Sequence, residues 1–465
     1  MTSKTSLFDQ PVLNPNGRLI SISQPCAGLT ARALIRLARG EERFFWENQR
    51  DSYALAGFGV AAELIAWGED RFETIQRQAE RLFAGSMIVN DVSSRVGPRL
   101  FGGFSFQDDF VPDNTWTIYA PAYFVLPHYQ LQQQGGAAWL TMNVHIPADE
   151  DPDSIIPELR EALALRGDQL LAAQARLADT DTSPKPIEVN YPMPYAVWAQ
   201  NITDATQRIQ STELQKVVLS RVAEIRFEQN VAIERALDYL GEHYPDCYRF
   251  LFEPRPHHAF YGATPELLAS VQQRQLRTMG LAGSIRRGGD DREDEALAQT
   301  LLTDPKERHE HALVVEALRE RLQPMTPDLQ IPDVPGVLKL SNIQHLYTPV
   351  EGTTNDDSGV LPVIERLHPT PALGGKPRDL AIRFISQAEP VPRGWYGAPI
   401  GWIDANLDGM FGVAIRSAVS QDKRVWLYAG AGIVGDSVPQ KEWDETALKF
   451  RPMLDALGIR DKVHV

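Results

Sequence analysis

Cysteine is nearly absent: Cys26 and Cys247 are the only two in 465 residues. Two thiols so far apart, with no Cys or His partner at metal-ligand spacing, exclude a disulfide framework and a zinc site. They read as buried thiols of a reducing compartment. No apolar run approaches the ~18 residues that cross a bilayer, and the segment Met1 to Asp9 lacks the apolar core of a secretory signal. The expectation is a cytoplasmic protein with no membrane partner. Positive charge is also in deficit. A formal net charge of −15 argues against a nucleic-acid partner, whose footprint is a basic patch. It leaves room for an anionic small molecule in a locally positive site. The histidines form no His-Glu-x-x-His pair and Gly-x-Ser-x-Gly does not occur, which removes two familiar hydrolase patterns.

What is present is ordinary globular texture, 43% hydrophobic and 23% charged, enough for a sizeable core. Strand-like runs occur at Phe44-Phe45-Trp46, Ala54 to Val60, Phe101 to Phe106 and Tyr123 to Leu126, with helical patterns near 28–38 and 71–84. An acidic stretch, Pro147 to Asp153, a helical pattern over 155–178 and a turn-rich segment from Thr180 to Pro186 mark the one boundary. It separates an N-terminal part, 1–190, from a denser part, 191–465. There, strand patterns at 214–227, 247–253, 258–262, 266–272, 411–419 and 424–429 alternate with helical periodicity at 195–210, 231–241, 305–322 and 439–457. Strands follow one another without obligatory helical crossovers. The pattern predicts an α+β fold with extensive antiparallel sheets, and 465 residues allow one large domain or two to three ordinary ones.

Two acidic pairs stand out. In Asp304-Pro305-Lys306-Glu307-Arg308-His309-Glu310-His311, Asp304 suits the N-cap and Pro305 the first helical position. Glu307 and Glu310 then share a face that continues inward through Val314, Ala317 and Leu318, a costly place for carboxylates unless a cation or donors compensate. In Ser437 to Lys449, Ser437 is the expected cap, Pro439 opens the helix, and Glu442, Glu445 and Lys449 fall on one face. Two such helices meeting would offer oxygen ligands suited to Mg²⁺. Alternatively, each pair merely complements its helix dipole.

Between Val425 and Gly435 lies Ala429-Gly430-Ala431-Gly432-Ile433-Val434-Gly435, which matches Gly-x-Gly-x-x-Gly. A Rossmann unit would need a further strand and an acidic residue about 20 positions on, and the residues up to Val465 leave no room for them. The glycines read instead as a cradle for an anion beside a helix N-terminus, or as a tight strand-to-helix turn. Lys216, opening the run Val217-Val218-Leu219, either snorkels to solvent or, if buried, is a general base. Glu266, beside Leu267-Leu268-Ala269, becomes a general acid if burial raises its pKa.

Taken in order, nine blocks resemble the chorismate-utilising family of isochorismate, salicylate, anthranilate and aminodeoxychorismate synthases. They are Lys216-Val-Val-Leu-Ser-Arg221, Thr264-Pro-Glu-Leu-Leu268, Leu281-Ala-Gly-Ser284, Lys306-Glu-Arg-His-Glu-His311, Gln344-His-Leu346, His368-Pro-Thr-Pro-Ala-Leu373, Ala414-Ile-Arg-Ser417, Ala429-Gly-Ala-Gly-Ile-Val434 and Glu442-Trp-Asp-Glu-Thr446. The resemblance covers roughly 195–455; the first 190 residues match more loosely, chiefly at Gly102-Gly103-Phe104. It implies a single large α+β domain of extensive antiparallel sheets flanked by helices, and a Mg²⁺ cofactor held by Glu310 and Glu445, with Glu307 and Glu442 in support. It further implies chorismate held by Arg416 and the amides around Gly430, in a pocket lined by Gly283, His345, Lys449 and the apolar Ala372-Leu373.

The base position decides the branch. Anthranilate synthases, which add ammonia, carry Gln where this chain has Lys216, so the resemblance implies an isochorismate synthase that works without a glutamine amidotransferase subunit. Lys216 would accept a proton from water attacking C2, and Glu266 would give one to the departing C4 hydroxyl. The expected product is isochorismate, for menaquinone or phylloquinone synthesis. The rivals are a salicylate synthase, an aminodeoxychorismate synthase with Lys as nucleophile, and a non-catalytic subunit, which the intact Lys216, Glu266 and four glutamates disfavour.

Overall fold

A computed structural model describes residues 17–90, 96–112, 114–147, 149–178 and 184–459. The segment Met1 to Asp9 and most of the turn-rich segment after Thr180 lie outside the described residues. Helix and strand positions follow the hydrophobic periodicity closely in places. Helix Arg71–Ala84 matches its pattern at both ends, and Pro305–Leu322 begins where Asp304 accepts a hydrogen bond from Glu307 N at 3.0 Å. No described helix is long and apolar enough to cross a membrane.

The described strands form two large sheets, almost wholly antiparallel. In the 13-stranded sheet, Lys216–Phe227 lies between Pro186–Asn190 and Arg424–Ile433, and the order continues through Ser417–Gln421, His258–Thr264 and Tyr248–Arg255 into Arg43–Asn48 and other strands of the first 150 residues. The 9-stranded sheet runs from Gly336–Lys339 through Ile343–Thr353, Gln275–Arg286, Leu267–Gln272, Gly409–Val413 and Pro399–Asp404 to Arg99–Phe104 and its neighbours. The one parallel pairing given among these strands joins Gly17–Pro25 to Met87–Asn90. Early and late parts of the chain thus share both sheets, in one α+β domain.

Alternation along each strand sorts side chains into layers. Phe44 and Trp46 point into an aromatic core between the sheets, with Phe101, Phe252, Phe260, Trp402 and Trp426. Phe45, between them in sequence, faces the opposite way, toward helices Pro152–Gln174, Ile233–His243 and Pro439–Ala456. The outer face of the second sheet is covered by helices Arg71–Ala84, Pro305–Leu322 and Leu361–Leu367, and their layer is joined by Arg378–Ala388, which packs on Lys216–Phe227 of the first sheet. Val217 and Leu219, with Ala431 and Ile433 of the neighbouring strand, reach this second outer layer. That reach brings the start of Lys216–Phe227 to the helix bearing Glu307 and Glu310.

Three readings of local structure are corrected. The pattern at 411–419 is two strands, Gly409–Val413 in one sheet and Ser417–Gln421 in the other. Between them Arg416 takes a φ of +51°, unfavourable for a residue with a Cβ and held by the crossing between sheets. The glycines at 430 and 432 lie inside the long strand Arg424–Ile433, opposite Ser220 and Val218, and not in a strand-to-helix turn. Finally, Val438 occupies the N-cap of the last helix, because the Ser437 hydroxyl turns back to accept from Val434 N at 3.2 Å.

Candidate active site

Where the two sheets and the two acidic helices meet there is a cavity. From the 13-stranded sheet come Val218, Gly430 and Gly432; from the helices, Glu310, Glu445 and Lys449. The turn before Leu267–Gln272 supplies Glu266, the crossing segment supplies Arg416, and Gly283, His345, Ala372 and Leu373 complete the wall. Ten of the thirteen residues singled out in the sequence therefore line one space. The other three stand immediately behind it. Lys216 donates from Nζ to Glu310 Oε1 at 2.8 Å, Glu307 Oε2 accepts from Ser284 N at 2.8 Å, and Glu442 is tied through Lys306 to Glu307.

Lys216 is fully buried, so it does not snorkel; it opens its strand with its stem packed inward and its ammonium in an ion pair. Gly432 makes this possible. A Cβ there would sit 2.4 Å from Glu310 Oε1 and 3.1 Å from the Lys216 stem, so a side chain at 432 would push Glu310 off Lys216.

Glu266 is 4% exposed and has the opposite electrostatics. Burial pushes its pKa up to about 8, with Lys216 and Lys449 pulling against it. It therefore keeps its proton at neutral pH. For Glu310, burial also raises the pKa, but Lys216, Lys306 and Lys449 outweigh it and hold the carboxylate below its ordinary value. Two carboxylates in one cavity are thus driven apart, one to hold a proton and one to hold a charge.

The cationic side is equally defined. Arg416 is buried, its Nη1 reaching only the Lys449 carbonyl at 3.5 Å. Lys449 bridges Glu445 at 2.6 Å and the Gly430 carbonyl at 2.9 Å. Burial, then Arg416 and Lys449, push His345 well below the usual imidazole pKa, so the ring is neutral. Its Nδ1 lies 2.9 Å from Ser284 Oγ, while the buried Nε2 has no hydrogen-bond partner. A guanidinium and an unpaired ring nitrogen facing one cavity suit a bound carboxylate or hydroxyl.

The four glutamates suit a hard cation in donor chemistry and in charge. Burial, and then Glu310, raise the pKa of Glu307; burial, and then Glu445, push Glu442 up to about 7. Oε2 of Glu442 is buried and makes no hydrogen bond. Repulsion of this kind is what a dication relieves. Among the described residues no group of three or more carboxylates or imidazoles closes on a metal position, and Lys306 stands between Glu307 and Glu442. The neighbouring His311 is a core residue, held by Thr348 Oγ1 at 2.8 Å and the Ala282 carbonyl at 3.2 Å.

Comparison with known families matches residues 9–458 to the chorismate-binding enzyme model. The chain belongs to the chorismate-binding enzymes. Among curated members it is 33% identical over 429 residues to isochorismate synthase MenF of Bacillus subtilis, covering 90% of this chain and 88% of that one. It is 35% identical over 414 residues to the salicylate biosynthesis isochorismate synthase of Pseudomonas aeruginosa, covering 89% and 84%. The solved structure of MenF, the menaquinone-specific isochorismate synthase of Escherichia coli, superposes with a TM-score of 0.77 at 26% identity, covering 95% of each chain.

Several residues in and around the cavity of this chorismate-binding enzyme have roles that no sequence pattern marks. Tyr396 and Tyr428 stack at 5.1 Å and face the pocket. Tyr428 shows only as one more aromatic of a buried strand and Tyr396 sits in a loop, so no spacing rule marks them. Ser284, which orients His345, and Lys306, which joins two helices, lie within recognised blocks; their roles are set by partners distant in sequence.

Proposed function

We propose that this chorismate-binding enzyme is an isochorismate synthase, with Lys216 and Glu266 as its proton-transfer pair. The observation that carries the reading is the buried Glu266 lining the same cavity as Glu310, with Lys216 paired to Glu310 from behind the wall. The exchange needs a base for water and an acid for the departing hydroxyl. Lys216 first gives up its ammonium proton to solvent; as the water oxygen then bonds to C2, the neutral amine takes the water's proton. The diene electrons shift around the ring, and the C4–O bond breaks as Glu266 delivers its proton to that oxygen. One water enters and one leaves, and the enolpyruvyl ether is untouched.

Arg416 pairs with the enolpyruvyl carboxylate, and His345 Nε2 supplies a further hydrogen bond. Ala372 and Leu373 present an apolar wall that keeps bulk water off the ring. Glu310 and Glu445, with Glu307 and Glu442 behind them, are the residues that would hold Mg²⁺, which when bound supplies positive charge to the ring carboxylate. No amidotransferase subunit is required when water is the nucleophile. The similarity to a menaquinone-specific relative favours menaquinone or phylloquinone synthesis as the destination of the product.

The test is purified enzyme with chorismate and Mg²⁺, products separated by chromatography and pyruvate followed by a coupled assay. Moving a hydroxyl between positions of one diene is close to thermoneutral, so a plateau of chorismate and isochorismate is expected from either side, without pyruvate. Excess chelator should abolish it. Stoichiometric pyruvate with salicylate overturns the product assignment, and full turnover in chelator removes the metal.

A further inference from the structure

The sequence blocks that carry the glutamates also carry a lysine with no part in the chemistry above. Lys306 lies in the first turn of helix Pro305–Leu322, one residue before Glu307. Its ammonium stands 3.4 Å from Glu307 Oε1 and 3.3 Å from Glu442 Oε1, the second of these on helix Pro439–Ala456. It thus bridges the two helices whose glutamates face one another. The partners differ in freedom. Glu442 is 1% exposed in its side chain, whereas Lys306 is 24% exposed. The carboxylate is fixed, and the lysine, on a four-carbon stem that reaches solvent, has somewhere to go.

The charge inventory points the same way. The ion pairs of the cluster set Glu307, Glu310, Glu442 and Glu445 against Lys216 on Glu310, Lys449 on Glu445 and Lys306 on the remaining two, with the Arg416 guanidinium also acting on Glu445. Lys216 is sealed in and Lys449 is also anchored to the Gly430 carbonyl. With all carboxylates ionised, the three lysines leave one negative charge. A dication added to that set places two further positive charges beside Lys306, and withdrawal of Lys306 relieves that repulsion. The unpartnered Glu442 Oε2 shows that Lys306 satisfies only half of what that carboxylate can accept.

We propose that Lys306 is a resident counter-ion of the carboxylate cluster, bridging its two helices until a divalent cation enters and then yielding its place. The proposal rests on the reading that these glutamates hold Mg²⁺. Lys306 then competes with the metal, and removing it tightens metal binding while loosening the metal-free protein.

The experiment is calorimetric titration of Mg²⁺ into substrate-free enzyme at pH 8, with melting temperatures taken with and without the ion. Lys306→Met should bind Mg²⁺ about tenfold more tightly than wild type, since a like charge a few ångströms away is removed from a screened site. It should melt below wild type without Mg²⁺ and draw level at saturation. Lys306→Gln, neutral but still a donor, should tighten binding in the same direction, and it serves if Lys306→Met does not fold. Equal or weaker Mg²⁺ affinity in a folded neutral variant overturns the displacement. No Mg²⁺ binding to wild type or variant overturns the metal reading itself.

Discussion

Glu266 gives the sharpest prediction because its two consequences have opposite sign. In the unfolded chain it ionises near 4.5; in the folded protein, desolvation holds the proton until about pH 8. Below pH 4.5 both states are protonated and the group costs nothing. As pH rises, the unfolded state sheds its proton first, so wild-type stability falls until the folded group also ionises at about pH 8. At about 1.4 kcal/mol per pK unit, the cost grows by roughly 3–4 kcal/mol between pH 5 and pH 8. Glu266→Gln does not titrate. Whatever constant penalty its buried amide carries cancels when the two pH values are compared. At ~2.1 cal/mol/K per residue, a chain of 465 residues has an unfolding entropy of about 1 kcal/mol/K. The melting temperature of Glu266→Gln relative to wild type should therefore rise by about 3–4 °C from pH 5 to pH 8. The same variant should lose ~10²–10⁴-fold in kcat. Scanning calorimetry of both proteins at the two pH values, with chorismate turnover, decides it. A melting difference that is flat with pH, or a variant within a few-fold of wild-type activity, refutes the reasoning.

Two further substitutions probe the facing wall. Lys216→Ala removes the base and should cost at least ~10²-fold in kcat, while isothermal titration still detects chorismate; activity within a few-fold of wild type would make Lys216 only the counter-ion of Glu310. Gly432→Ala places a Cβ 2.4 Å from Glu310 Oε1 and should separate Glu310 from Lys216, lowering activity far more than it lowers the melting temperature. A fully active Gly432→Ala would show that the pair can shift freely.

The division between what was legible and what was not follows the range of the interactions. Glu310 and its apolar stripe, the Asp304 cap and the helix over 71–84 are set by neighbours within a turn or two, and periodicity finds them. Lys216 and Glu266 could be named as chemical types, but the burial that gives them roles comes from Gly432 and from a strand that pairs about 200 residues away. The strands Gln275–Arg286 and Ile343–Thr353 left little signal because glycine, proline and polar residues interrupt their alternation. Each is held by the other's hydrogen bonds. Arg416 was found as a motif residue; its crossing position was not, because apolar residues run through the break between the two sheets.

The strand order has a consequence for how the protein is made. Lys216–Phe227 has its long partner in Arg424–Ile433, and Arg43–Asn48 has one of its partners in Tyr248–Arg255. A nascent chain therefore carries apolar strands with open edges through most of its synthesis. The end of the larger sheet that carries Lys216 closes only when nearly the whole chain has left the ribosome. Pairings of such long sequence separation form slowly, and open edges invite association with other chains. The cavity draws Glu266 from one side of this closure and Glu445 from the other, so it cannot be complete until the strand Arg424–Ile433 and the helix after it have paired with the earlier chain.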